Sequence, residues 1–222
     1  MKKTILTIAF TIFTLITLAQ GPQLGVQASP LLSIMSYDGE SMNGLGYSAG
    51  LSCKIPIGER WSVRPEFNIQ QRSGSLDSDY TESTDYYTAE ELSTSTMKYS
   101  VVDVPVLFEY RSKSKLGFYI GPQFGASFGS SYEWKYNYNA KDLETGEEYS
   151  EEGTETEDGA DSNFNEFSFA LGTNYNLDNG LSFEFRFQQS AGVLYTDDGD
   201  FDTDMSFAGI QLGCRYTIPS GR

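Results

Sequence analysis

The sequence predicts an all-β chain: an eight-stranded antiparallel up-and-down transmembrane β-barrel with short periplasmic turns at one end and long acidic surface loops at the other. Three observations predict it. Apolar side chains recur at every second place through eight separate stretches, the gaps between the stretches alternate short and long, and the acidic residues crowd into the long gaps.

The chain begins with "MKKTILTIAFTIFTLITLAQG": two lysines, an apolar stretch of 14 residues from Ile5 to Leu18, and the small residues Thr17 and Ala19 before Gln20. This is the build of a secretory signal peptide cut after Ala19. The apolar stretch falls short of the ~18 residues of a spanning helix. The expected organisation is a signal peptide over residues 1–19 and one barrel domain over 20–222.

The eight stretches follow in order. The first carries Leu24, Val26 and Ala28, and the second Leu45, Tyr47, Ala49, Leu51, Cys53 and Ile55. The third, "WSVRPEFNIQ", sets Trp61, Val63, Pro65, Phe67 and Ile69 against Ser62, Arg64, Glu66, Asn68 and Gln70. The fourth carries Val102, Val104, Val106, Phe108 and Tyr110, and the fifth Phe118, Ile120, Phe124, Ala126 and Phe128. The last three carry Phe167, Phe169, Leu171 and Tyr175, then Leu181 to Phe187, then Ala208 to Ile218. A period of two is the signature of a strand with one dry and one wet face.

Loop parity decides which face looks inward. The second, fourth and sixth stretches are followed by the short turns "PIGER", "RSKSKLG" and "LDNG". The others lead into gaps over 35–44, 71–98, 129–163 and 189–204, which hold 24 of the 31 acidic residues. A soluble sandwich has no reason to sort its connections by parity, whereas a membrane barrel does. The dry face is therefore expected to meet lipid. Lys54, Arg64, Glu66, Asp103, Glu109, Glu184, Arg186 and Arg215 then share the lumen as a charge-paired network, with Gln70, Gln123, Gln188 and Gln211 among them. So filled a lumen leaves no room for a passive pore. A soluble lipocalin-like barrel is the alternative with its faces inverted.

Composition narrows the chemistry. The chain has no histidine, which removes Ser–His and Asp–His catalysis and any His-ligated zinc, and no enzymatic activity or cofactor is expected. A net charge of −16 argues against nucleic acid as a partner. Cys53 and Cys214 both sit in the apolar register with the first strand expected between theirs, so free thiols are expected. "TDDGDFDTD" spaces Asp198, Asp200, Asp202 and Asp204 at alternate places, the weak candidates for a calcium site, but without the Gly and Glu of an EF-hand loop in register. A mobile, solvated loop is the plainer reading of such segments.

The stretches "VRPEFNIQQRSG", "VVDVPVLFEYR", "FYIGPQFGASF" and "GIQLGCRYTI" resemble the successive strand motifs of the PorT-like outer-membrane β-barrel family, with Pro65, Glu66, Gly74, Pro105, Gly121, Pro122 and Gly125 at its Pro, Glu and Gly places. The resemblance runs from about Leu24 to Ile218. It implies residence in the outer membrane of a Gram-negative bacterium, with outer-membrane lipid and the barrel assembly machinery as partners. It also implies a link to protein secretion, as a subunit of a secretion or assembly complex. The residues themselves point first to a structural or surface-binding role through the acidic loops. Pro30, Pro65, Pro105 and Pro122 each remove a ladder donor, and are expected at bulges or strand ends.

Overall fold

The computed structural model describes residues 21–37, 39–158, 164–195, 201–202 and 206–218. The signal-peptide segment at 1–19 lies outside them. Ten strands follow one another: β1 Gln23–Tyr37, β2 Glu40–Pro56, β3 Trp61–Ser83, β4 Tyr87–Arg111, β5 Leu116–Asp142, β6 Glu148–Asp158, β7 Phe164–Asn176, β8 Leu181–Tyr195, β9 Phe201–Asp202 and β10 Ser206–Thr217. Eight of them close a ring in the order β1, β2, β3, β4, β5, β7, β8, β10, every pair antiparallel. β10 shuts it by pairing with both β8 and β1. A closed ring leaves no edge in the membrane, where an unpaired backbone group costs several kcal/mol.

The two faces are sorted as the period-two pattern requires. On β3, Trp61, Phe67 and Ile69 are 53%, 51% and 48% exposed, while Arg64 and Glu66 between them are 0% and 3% exposed. The same inversion, apolar out and charged in, holds around the ring, which excludes the soluble lipocalin-like alternative. With ~3.4 Å rise per residue and ~40° tilt, the apolar register spans roughly 21 Å on β3 and about 26 Å from Phe118 to Phe128 on β5, enough for the ~25 Å lipid band.

Side-chain size alternates between neighbouring strands. The inward register of β3 is large and polar, with Arg64, Glu66, Asn68, Gln70 and Arg72 all buried. Facing it, β2 presents Gly44, Gly46, Ser48, Gly50 and Ser52. A Cβ at Gly46 would run into the Gln71 carbonyl oxygen, and one at Gly50 into the Phe67 carbonyl oxygen. The glycines therefore let β2 approach β3 closely while β3's long side chains take the lumen.

The prolines sit mid-strand. Pro65 opposes Val106, Pro105 opposes Gln123 and Pro122 opposes Phe169, and the ladder resumes in the same register beyond each. Beside Pro30 the β1–β10 ladder skips from Ala28 to Leu31, again without a slip. The actual register shifts lie elsewhere, at Ser100/Val101 on β4 against β5 and at Glu166/Ser168 on β7 against β8, the second beside Gly192 with φ 144°. Both occur where the barrel wall passes into the segments beyond it.

The gaps read as long loops are largely strand. β3 and β4 stay paired up to a turn at 84–86, β4 and β5 pair out to Tyr87 and Asp142, and β6 adds to β5 after a turn at 143–147. The segment 129–163 is thus a hairpin over most of its length. Alternating Tyr, Trp and Thr carry strand propensity that a high Glu and Ser content had masked. Cys53 and Cys214 are both free.

Candidate functional site

Two regions carry concentrated chemistry: the filled lumen and the sheet that rises beyond it.

The lumen divides into two ion clusters separated by a layer of amides. Toward the short turns, Arg64 is the hub. Its guanidinium pairs with Glu66 at 2.9 Å, Glu109 at 2.9 Å and Glu184 at 2.8 Å, and lies over the Tyr119 ring at 4.5 Å. Lys54 donates to Glu109 at 2.5 Å, Arg186 pairs with Glu66 at 2.8 Å, and Arg215 pairs with Glu184 at 2.9 Å. Seven of the eight charges expected in the lumen meet here. The eighth, Asp103, lies in the other cluster, 3.3 Å from Arg72. Between the two, Gln188 donates to Gln70 at 3.1 Å, and Gln123 and Gln211 each donate to the Gln188 side-chain oxygen at 3.3 Å.

The second cluster is built on Arg72, which the sequence reading left in the gap 71–98, and on Glu166, which stands just before the first apolar residue of the sixth stretch. Arg72 grips both oxygens of Glu166 at 2.7 Å, donates to Asp103 at 3.3 Å, and stacks on the Phe207 ring at 3.8 Å. Leu31, Met35 and Phe207, with Met97 and Tyr99 against them, close the lumen above. Both residues continue the wet register, Arg72 after Asn68 and Gln70, Glu166 before Ser168. That register was the signal that could have found them. Two parallel contacts of 2.7 Å between buried partners make this a strong, bidentate anion grip.

Beyond the ring, β3, β4, β5 and β6 form a four-stranded antiparallel sheet. β3 has no β2 partner past Ser75, and β5 exchanges β7 for β6 after Ala126. The 14 residues of β3 that follow Ile69, up to Ser83, carry the sheet roughly 35 Å past the apolar band at the same rise and tilt. Cross-strand pairing sorts its two faces. One continues the lumen register and carries Tyr80, Glu82, Glu91, Tyr132, Trp134, Tyr136, Tyr138, Tyr149, Glu151, Glu155 and Glu157. The other continues the lipid register and is mostly Ser, Thr and Asn, with Leu92, with the acids Asp77, Asp79, Glu90, Glu133, Glu148 and Glu152, and with Lys98, Lys135 and Lys141.

The aromatic face is ordered by its own contacts. Trp134 and Tyr136 stack at 4.8 Å, Tyr138 and Tyr149 meet edge-on at 6.3 Å, and the Tyr136 ring lies so close over Gly153 that a Cβ there would strike it. The Tyr149 hydroxyl donates to Glu151 at 2.6 Å and the Tyr136 hydroxyl to the same carboxylate at 3.4 Å. That charge raises the pKa of both phenols and keeps them protonated. At the β5–β6 turn, Asp142 accepts the backbone N–H groups of Glu144 and Thr145 at 2.8 Å each, which hold its carboxyl below the ordinary carboxylate value.

Asp198, Asp200 and Asp204 lie outside the described residues, as does the side chain of Asp202. Among the described residues no group of three or more acidic or cysteine side chains converges to hold a metal ion.

Comparison with solved structures finds barrels of similar course at low identity. The attachment invasion locus protein Ail of Yersinia pestis, solved with the heparin analogue sucrose octasulfate, is 16% identical over 90% of this chain and 100% of its own, with a TM-score of 0.45. Neisserial surface protein A is 11% identical over 90% and 100% of the two chains, TM-score 0.45, and OprG of Pseudomonas aeruginosa 8% identical over 91% and 98%, TM-score 0.36. No curated protein matches. The family model described as the outer membrane protein beta-barrel domain matches residues 14–192, which includes the ring from β1 to most of β8. The chain belongs to the outer membrane protein beta-barrel domain family, and its place is the outer membrane of a Gram-negative bacterium.

Proposed function

We propose that the ring is an anchor in outer-membrane lipid, inserted by the barrel assembly machinery after export by the segment at 1–19, and that the β3–β6 sheet is the working part, a surface-interaction element. The observation that carries this reading is the sheet's height beyond the apolar band, with one face built of aromatic and acidic side chains. Short turns of such barrels lie in the periplasm, which puts the sheet outside the cell. The lumen supports a structural role rather than transport, because its centre is filled by paired charges and amides. An inactive scaffold also fits the chemistry, since the chain lacks histidine and every described lumen carboxylate is held by a cation.

The alternative, a PorT-like subunit of a secretion complex, rests on the strand motifs. In the structure those motif residues serve the barrel itself. Glu66 belongs to the Arg64 cluster, and a Cβ at Gly121 would run into the Val106 carbonyl oxygen. The motifs therefore support the fold more than a secretory role, and a protein partner in such a complex remains the second reading.

An epitope inserted at Asp85, in the turn at the tip of β3 and β4, tests the surface role. Antibody should label it on intact cells, while a tag after residue 222 should need a breached outer membrane. Labelling of the C-terminal tag alone on intact cells would reverse the orientation and remove the role.

A further inference from the structure

The outer sheet carries acids on both faces but lysines on one alone, a sorting that solvation does not require. Every lysine in it, Lys98, Lys135 and Lys141, stands on the face that continues the lipid register, and two have acidic neighbours there, Lys135 with Glu133 at 2.6 Å and Lys141 with Glu148 at 2.7 Å. The opposite face carries Glu82, Glu91, Glu151, Glu155 and Glu157, and its one cation in register, Arg72, is buried in the lumen on Glu166. Down the middle of this uncompensated acid run Tyr132, Trp134, Tyr136 and Tyr138, at alternate places of β5, with Tyr149 and Tyr80 flanking them and more than half exposed.

We propose that this aromatic and acidic face is a docking surface for a lysine- or arginine-bearing polypeptide segment, lying along β5 with its cations over the rings and against the glutamates. The inference rests on the surface role proposed above and names its partner by chemistry. A cation is attracted to the negative face of Trp and Tyr, and more strongly where the ring is fixed and partly desolvated. The stacked Trp134–Tyr136 pair, pinned over Gly153, supplies fixed rings. The glutamates supply both a charge-assisted hydrogen bond for each ammonium or guanidinium and long-range steering toward the face. Anionic partners, sulfated glycans included, meet like charge on this side. A neutral sugar would find stacking platforms, but no use for five carboxylates without a counter-ion.

Trp134 is a built-in reporter, since the only other tryptophan, Trp61, faces lipid at the turn end of β3. Refolded protein carrying Trp61→Phe, in a neutral detergent, is titrated with a decapeptide of alternating Lys and Gly, with its Glu-Gly counterpart, and with maltohexaose; calorimetry on the parent chain repeats each titration without the substitution. Saturable change in Trp134 emission is expected with the lysine peptide alone, weakening as salt is raised from 50 to 500 mM because the pairs are solvent-exposed. The combination Glu151→Gln, Glu155→Gln and Glu157→Gln should weaken binding about tenfold or more, and Tyr136→Ser with Tyr138→Ser by a similar factor, each variant keeping the heat-modifiable mobility of a folded barrel. The opposite-face combination Asp79→Asn, Glu133→Gln and Glu152→Gln should stay within about twofold of the parent. Equal weakening by both sets of acids would reduce the site to general rim charge and overturn the inference. So would saturation by maltohexaose in place of the lysine peptide, or no response to either. None of these outcomes touches the surface role, which stands or falls on the Asp85 epitope.

Discussion

Replacing Arg72 by methionine is the sharpest probe of the lumen. Methionine keeps an unbranched apolar stem against Phe207 but removes the guanidinium that holds both oxygens of Glu166 at 2.7 Å and reaches Asp103 at 3.3 Å. Two carboxylates would then face each other inside the ring, with Gln123, which donates to Asp103 at 3.1 Å, as the one described donor left to that acid. Breaking a buried pair costs about 3–5 kcal/mol, mostly because the orphaned charge stays desolvated. The double variant Arg72→Met, Glu166→Gln leaves a single acid with its amide donor, so it should recover at least ~2 kcal/mol of that loss. Urea unfolding in lipid vesicles, followed by the heat-modifiable gel shift and by fluorescence, gives both values from the midpoints and slopes. If Arg72→Met unfolds within ~0.5 kcal/mol of the parent, the cluster is hydrated and the lumen is not a filled anchor.

Other perturbations address separate features. Phe185→Arg puts a charge on the lipid face and should cost roughly 2–4 kcal/mol or block insertion into vesicles. Its neighbour Glu184, which Arg64 and Arg215 share, fails for a different reason: Glu184→Gln should lower the unfolding midpoint in detergent and lipid alike, by about 3 kcal/mol. A lipid-independent loss for Phe185→Arg would invert the register. Gly121→Ala sets a methyl against the Val106 carbonyl oxygen and should cost about 1–3 kcal/mol or prevent folding, whereas Gly58→Ala, with nothing near it, should be silent; equal folding yields would show that β4 and β5 are not so close. The Asp142 carboxyl titrates below its ordinary value of 3.8, so its hold on the β5–β6 turn is complete above that pH and lost as pH falls through the lowered value. Amide exchange at Glu144 and Thr145 should therefore be slow at pH 5 and quicken relative to neighbouring amides only once the pH falls below 3.8, and Asp142→Ala should abolish that difference.

The ring was legible in the sequence because a two-sided strand writes its environment at every second residue. Trp61 to Ile69 declare lipid and Arg64 to Gln70 declare lumen, and turn length adds the polarity. The reading stopped where the apolar side chains stopped. Arg72 and Glu166 follow the same alternation, but Arg72 has polar outward neighbours, Gln71 and Ser73, on both sides, and Glu166 has an apolar one, Phe167, on one side only, with Asn165 on the other, so the contrast between faces fades just as the strands leave the membrane. The outer sheet was hidden for the same reason. Its two faces differ in aromatic content and in which of them carries the lysines rather than in hydrophobicity, and a Glu- and Ser-rich stretch such as 148–158 reads as solvated chain until its pairing with β5 is seen. The prolines needed the fold as well, since only the paired partners show that a ladder can lose a rung without slipping.

The β1–β10 ladder has a consequence for how the barrel comes into being. Its partners stand near the two ends of the chain, Gly25 against Thr217 at one extreme, so this is the last pairing to become available and the one with the longest loop to close. Until it forms, β1 and β10 both expose unsatisfied strand edges that invite aggregation. The missing rungs beside Pro30 split it into runs of four and six pairs. Closure can thus proceed as two shorter zips, the first reversible before the second commits. A nascent chain held with its seam half made keeps a lateral doorway, and that is the geometry in which an insertion catalyst can grip one edge while lipid is still being displaced from the other.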